Sequence, residues 1–347
     1  MSCYKTVKNG LSALLGAGVF LVVMGGGSWL WWKSAIAPMN PSSSTPEPIT
    51  VKIPPGSSAQ AIGQKLEEKE LIRSVLAWRI WLFRLKLQEQ SQNLQAGTYQ
   101  FSKTSSLPQI GNKIRQGEVI EARFTIPEGW TQKQMAERFE KLGYFSAEAF
   151  LKAARNVDRA AFPWLPENLP HLEGFLYPDT YHLPRDRATP EVIINLMLKQ
   201  FEETALPLYR NQDSPYSLKE WVTLASIVEK ETVVDRERSR IAAVFAERLE
   251  RGMRLAADPT VEYGLDITQS KNQPLTIEQV NTPSPYNTYL NSGLPPTPIA
   301  SPGKPSLKES LNPPETEYLF FVARYDGTHI FSKTFEEHQA AQRRIQQ

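Results

Sequence analysis

The sequence predicts an α+β protein with a single N-terminal transmembrane helix, a small strand-and-helix module and a larger α+β domain. Three observations carry that reading. Leu11 to Trp32 is a run of 22 residues without a charge. A strand, an Ile-Pro-x-Gly turn and a helix recur 73 residues apart, at Val51–Leu66 and Phe124–Phe139. Farther along, short apolar segments alternate with helix-starting and turn signals through to a closing hairpin and helix.

The 347 residues are 41% hydrophobic and 22% charged, ordinary globular usage and enough chain for more than one domain. Lys and Arg total 39 against 37 Asp and Glu. Three of the bases (Lys5, Lys8, Lys33) lie in the first 37 residues, where no acid occurs, so the rest carries one acid more than bases. A nucleic-acid partner, which needs a surplus of cations against phosphate, is not expected. The single Cys3 cannot form an intramolecular disulfide, and the four histidines contain no H-E-x-x-H pair. No metal site and no cofactor are therefore expected.

As a helix, Leu11–Trp32 would be about 33 Å long, the thickness of a bilayer core. Lys5 and Lys8 precede it and Lys33 follows. The charge bias places residues 1–10 in the cytoplasm and the body outside the cytoplasmic membrane, with Trp29, Trp31 and Trp32 at the far interface. A cleaved signal peptide ending at Ala35-Ile36-Ala37 is the rival reading, opposed by the length of the apolar run and by Pro38 after the candidate site. Residues 33–48, rich in Pro and Ser, read as an extended spacer.

Residues 49–122 read as the small module. Its first strand and helix are followed by a buried amphipathic helix over Val75–Leu87, a strand over Ala96–Phe101 and a helix over Leu107–Gln116 that stops at Gly117. Residues 123–347 form the larger domain, opened by the second strand-turn-helix copy. It closes with a hairpin, Tyr318–Ala323 and His329–Ser332 around Asp326-Gly327, and a helix over Phe335–Ile345.

Within this domain Ser217-Leu-Lys-Glu220 is a capping box before the apolar run Trp221–Val228, so a helix starts at Ser217. Continued to its end, the wheel places Glu231 about 20° from Leu224 and 40° from Ile227, on the apolar face, and turns Glu229 away. A carboxyl there loses hydration and meets the negative end of the helix dipole, which raises its pKa as a general acid requires. The alternative is a frayed helix end with Glu231 paired to Lys230, Arg236 or Arg238 at the surface; periodicity does not separate the two. Asp258-Pro259 reads as an N-cap followed by Pro at the first helical position. Asn281–Gly303 holds six of the 27 prolines with Tyr286, Asn287, Tyr289 and Asn291, and reads either as a stiff sugar-binding loop or as a rigid surface loop. Ser301-Pro-Gly-Lys304 matches S-x-x-K, but its prolines oppose the helix that motif needs, and neither G-x-S-x-G nor a phosphate-binding glycine loop occurs.

Several strings in order then resemble one family. They are His171-Leu-Glu-Gly-Phe-Leu-Tyr-Pro-Asp-Thr-Tyr181, Leu224-Ala-Ser-Ile-Val-Glu-Lys-Glu-Thr232, Arg248–Leu255, Asp258–Gly264, Ser284–Tyr289 with Gly293–Pro296, Tyr318–Val322 and Gly327-Thr-His329. Together they are similar to the endolytic murein transglycosylases of the MltG (YceG-like) family. Pro296-Thr297-Pro298 departs from it, standing where the family usually has a glycine after Leu-Pro-Pro. The resemblance implies a lyase cutting peptidoglycan glycan strands, with Glu231 as catalytic glutamate. It further implies Glu173, Asp179, Asp258 and Tyr263 as cleft residues by their position, beside Tyr286 and Asn287 of the proline-rich strip as substrate-binding residues, and penicillin-binding synthases as partners. Residues 49–122 resemble a LysM module, a fold that holds N-acetylglucosamine polymers. A hydrolase pairing Glu231 with Asp258, or a wall-binding scaffold without catalysis, stays open.

Overall fold

The computed structural model describes residues 27–41, 47–89, 93–270, 273–324 and 326–345. The predicted span Leu11–Trp32 lies largely outside them; among the described residues no helix is long and apolar enough to cross a membrane. The chain divides into two compact units, one running to Ala122 and taking in His182–Arg187, the other holding Arg123–Tyr181 and Ala188–Gln347.

The first unit contains β1 (Ile49–Ile53), α1 (Ala59–Glu68), α2 (Val75–Leu87), β2 (Gly97–Phe101) and α3 (Leu107–Gln116). β1 and β2 pair antiparallel, with Ile49 opposite Phe101 and Ile53 opposite Gly97. Their alternation turns Val51, Ile53, Tyr99 and Phe101 inward, onto Ile62 and Leu66 of α1 and the stacked Trp78 and Trp81 of α2. α3 begins with a capping box at Ser106 and ends at Gly117, whose φ of 71° is the left-handed turn that stops a helix. α2 departs from the expected buried helix: Trp78 and Trp81 are buried while Leu76, Phe83 and Leu87 are 56%, 61% and 69% exposed. A helix packed on one side can bury only one stripe, and this sequence is apolar on two.

The second copy of the repeat reproduces the first. α4 (Gln132–Lys141) lies 73 residues after α1, its cap Thr131 the same distance after Ser58. Gly129 (φ 73°) matches Gly56 (φ 77°) in the turn. α5 (Ala147–Arg155), α6 (Pro190–Thr204) and α7 (Leu206–Arg210) follow, and β3 (Glu121–Thr125) pairs with β4 (Thr180–Pro184).

α8 (Leu218–Glu231) is the core helix of the second unit: every residue from Trp221 to Val228 is buried. Its Leu224, Ile227 and Val228 pack on Ile241, Ala242 and Phe245 of α9 (Arg238–Glu250), on Leu255 and Ala257, and on Ile299. α10 (Asp258–Leu265), α11 (Ile277–Val280) and α12 (Lys304–Glu309) follow, then the hairpin of β5 (Phe320–Ala323) and β6 (His329–Ser332) and the closing α13 (Phe335–Ile345). The proline-rich strip is not a surface loop throughout: Thr297 to Gly303 are buried, with Ile299 N–H donating to Ser226 Oγ and Ser301 N–H to the Trp130 carbonyl.

Candidate active site

The site is built on the C-terminal end of α8. Its N-terminus is closed by the predicted capping box, Glu220 N–H donating to Ser217 Oγ while the Glu220 carboxylate accepts from Ser217 N–H at 2.8 Å. Such a cap contributes about 1 kcal/mol. Trp221 Nε1 donates to the Leu307 carbonyl at 2.8 Å, tying the helix to α12. α8 continues to Glu231, its final residue, where Thr232 N–H donates to the Val228 carbonyl as the cap.

Glu229 and Glu231 part company as the wheel requires. Glu229 accepts from Gly303 N–H at 3.1 Å and Ser306 Oγ at 2.6 Å, anchoring the start of α12. Glu231 makes no salt bridge among the described residues, and lines a cavity of about 500 Å³ with Arg248, Asp258, Tyr289, Phe320 and His329. The suggested surface pairings are absent there: Arg238 binds Asp235 at 3.0 Å instead. Burial first, then the negative charges of Asp258 and Glu262, raise the Glu231 carboxyl from the ordinary 4.5 to about 8, against a lowering pull from Arg248 and Lys230. A carboxyl in that state is a proton donor at neutral pH.

Its neighbours are fixed by the fold. Arg248 of α9 donates from Nε to the Leu319 carbonyl and from Nη1 to the Leu255 carbonyl, each at 2.6 Å. The guanidinium is thus locked by backbone and leaves its charge unpaired by any carboxylate contact among the described residues. Asp258 is the first residue of α10, not its cap; that place falls to Ala257, whose N–H donates to Thr288 Oγ1. The Asp258 carboxylate is engaged elsewhere, accepting from the Tyr289 hydroxyl at 2.6 Å. His329, also in the cavity lining, has Nδ1 2.8 Å from Glu237 Oε2, which accepts the His329 backbone N–H at 3.0 Å. A carboxylate can only accept, so opposite Glu237 it is Nδ1 that donates.

Glu173, Tyr263 and Tyr286 gather at a second cavity of about 600 Å³, shared with Lys230 and Glu262. Glu173 is buried and accepts from Gln132 N–H at 3.0 and 3.2 Å and from the Tyr263 hydroxyl at 3.2 Å. Burial nonetheless raises its carboxyl to about 8. The Tyr263 and Tyr286 rings meet edge to face, 4.8 Å apart. Behind Glu173, Gly174 adopts φ 83°, and a Cβ there would lie 2.4 Å from Pro298, so the end of the departing Pro-Thr-Pro298 segment packs directly on the Leu-Glu-Gly turn. Neighbouring residues thus serve different cavities: Lys230 and Glu231 on α8, Glu262 and Asp258 on α10.

Asn287 reaches neither cavity lining. It is fully buried, donating to the Val280 and Thr282 carbonyls and accepting from Tyr289 N–H, so it shapes the loop that presents Tyr289. Sequence reasoning placed Tyr289 in the candidate sugar-binding loop but not beside Asp258, and it did not single out Arg248 or the Glu237–His329 pair as site members. The bonds that set them against the cavity reach 31 residues for Tyr289, 71 for Arg248 and 92 for His329, for which the local pattern carries no signal. Among the described residues no group of three or more His, Cys, Asp or Glu could hold a metal ion.

The model of the YceG-like family matches residues 51–344. The chain is 31% identical over 331 residues to the endolytic murein transglycosylase of Bacillus subtilis, covering 91% of this chain and 89% of that protein. The same identity holds over 352 residues with the endolytic murein transglycosylase of Streptococcus pneumoniae serotype 2, of whose length the match covers 62%. A crystal structure of a YceG-like protein of Listeria monocytogenes superposes with a TM-score of 0.56 at 35% identity, covering 86% of this chain and all of that one.

Proposed function

Since this chain belongs to the YceG-like family, we propose that it is an endolytic murein transglycosylase in which Glu231 is the catalytic acid. The observation that carries this reading is a carboxyl raised to about 8 at the end of a rigid buried helix, opening into a cavity of about 500 Å³. Protonated Glu231 donates to the glycosidic oxygen between N-acetylmuramic acid and N-acetylglucosamine as that C–O bond breaks. The muramoyl C6 oxygen then closes on C1, and its proton passes to the Glu231 carboxylate, restoring the acid. The products are a 1,6-anhydromuramoyl end and a free hydroxyl on the other fragment, with no water consumed.

A two-carboxylate glycosidase needs its second group free to attack or to activate water. Asp258 is the candidate for that role, but Tyr289 occupies one of its oxygens. An internal nucleophile removes the need. General acid-base action supplies about 10²- to 10⁴-fold, so orientation supplies much of the remainder. Tyr263, Tyr286 and Glu173 line the second cavity and suit sugar faces and hydroxyls there. Asn287 acts by holding Tyr289.

The uncharged run Leu11–Trp32 supports a single-pass anchor in the cytoplasmic membrane with the catalytic unit on the outer side. The strand-helix-helix-strand order of residues 49–101 suits a LysM-like module that holds the glycan. Acting on nascent strands near the membrane, the enzyme ends glycan elongation beside penicillin-binding synthases. Mass spectrometry of digested glycan strands tests the reading. Anhydro ends from the wild type and intact strands from Glu231→Gln are expected. Reducing ends would mark a hydrolase, and intact strands from the wild type a scaffold.

A further inference from the structure

The exposed face of α2 has an order of its own. At about 100° per residue, Leu76, Phe83 and Leu87 fall within about 20° of one line along the helix, with Ile80 about 40° to one side. Arg79 and Lys86 flank that stripe on one side, at about 60° and 80°, and Arg84 flanks it on the other at about 80°. Trp78 and Trp81 point the opposite way, into the core. No acidic residue lies between Leu71 and Gln88. The helix therefore carries two apolar faces, one buried by the unit and one bordered by cations.

The chain enters the first unit next to this face. Residues 27–36 are helical, with Ala35 buried in the core of the unit and Trp32 and Ile36 packed against it. The Arg84 guanidinium lies 5.2 Å from the Trp32 ring centroid. Arg73 donates to the Pro38 carbonyl at 2.9 Å, and Asn40 N–H donates to the Lys103 carbonyl, fixing the exit. In the same entering helix Trp29, Leu30 and Trp31 are 56%, 62% and 44% exposed. Upstream of them lies the uncharged run proposed to span the membrane.

We infer that α2 is an in-plane membrane seat: Leu76, Phe83 and Leu87 dip into the headgroup and acyl boundary of the bilayer while Arg79, Arg84 and Lys86 bind anionic headgroups. An apolar stripe bordered by Arg and Lys is the pattern of helices that lie in the interface plane, since the long cationic side chains reach back to the phosphates. A stripe made to bind another protein chain has no need of cations on both borders. The seat rests on the proposed anchor, which delivers this face to the bilayer. It holds the first unit against the membrane where newly made glycan emerges.

The test uses this chain in full, with Cys3→Ser, reconstituted in phosphatidylglycerol and phosphatidylethanolamine vesicles. An environment-sensitive dye is attached at Phe83→Cys, and at Asn112→Cys, an exposed position on α3, as control. The dye at 83 is expected to shift to the blue and to be quenched by lipids carrying a shallow spin label, and the dye at 112 is not. Replacing Arg79, Arg84 and Lys86 by Gln lowers the ratio of lipid-contacting to water-exposed dye in anionic vesicles by about fivefold per cation. A dye at 83 that stays in water overturns the inference. So does one shielded from water but untouched by lipid quenchers, which marks a second copy or a protein partner. Extraction of the chain by alkaline carbonate overturns the anchor itself, whatever the dye reports.

Discussion

The Tyr289 hydroxyl donates to Asp258 Oδ1 at 2.6 Å, and after burial the charge of that same carboxylate is the largest influence raising Glu231. One hydrogen bond, between residues 31 positions apart, thus holds in place a charge that adds to burial in keeping the proposed catalytic acid protonated.

Asp258→Asn removes that charge. The Glu231 carboxyl falls, and the alkaline limb of kcat/KM, where the acid loses its proton, moves down by about one pH unit. Rates measured between pH 6 and pH 9 check this; an unmoved limb would show that burial alone sets the acid.

Glu231→Gln abolishes cleavage, a loss of at least about 10²-fold, while stability rises at pH 8. Glu231 and Glu173 each bind a proton more tightly folded than unfolded, their carboxyls standing near 8 against the ordinary 4.5. Between those values the folded chain holds more protons, so stability falls as pH rises through that window. Removing one of the two groups recovers at least about 1 kcal/mol at pH 8 and nothing at pH 4, by urea unfolding at the two pH values.

Glu229→Gln separates the neighbouring carboxylates. It weakens two hydrogen bonds at the start of α12, costs about 1 to 2 kcal/mol, and leaves cleavage by folded protein intact. A melting curve beside the glycan assay reads both.

Gly174→Ala strains a backbone at φ 83° and drives a methyl group into Pro298 and Val222. The two effects together cost about 2 to 4 kcal/mol. The companion Pro298→Gly opens the space and restores part of that loss, a coupling that a double-mutant cycle measures.

The repeat at 73 residues, the helix over Val75–Leu87, the Ser217 capping box and the closing hairpin and helix were legible because each rests on local chemistry: spacing, caps and turn glycines. The first hairpin strand starts at Phe320, two residues later than expected, and the cap before Pro259 is Ala257. Both differences arise where partners far along the chain take over. Leu319 N–H donates to the Ser332 carbonyl and its own carbonyl accepts Arg248, while Tyr289 draws the Asp258 carboxylate away from the helix end.

The sequence by itself determined which of the two carboxylates falls on the apolar side, because a helix of known start has a computable face. It left open whether the helix lasts long enough to hold Glu231 there, and which charges surround that carboxyl. Those were decided by tertiary structure: the Trp221 tie to α12, the backbone clamp on Arg248 and the Tyr289 bond to Asp258. Periodicity orients a side chain relative to its own helix, whereas desolvation and Coulomb interaction depend on everything packed within a few ångströms. For the same reason α2 was predicted to its ends, while the exposure of its second apolar face emerged only when the unit had closed around the first.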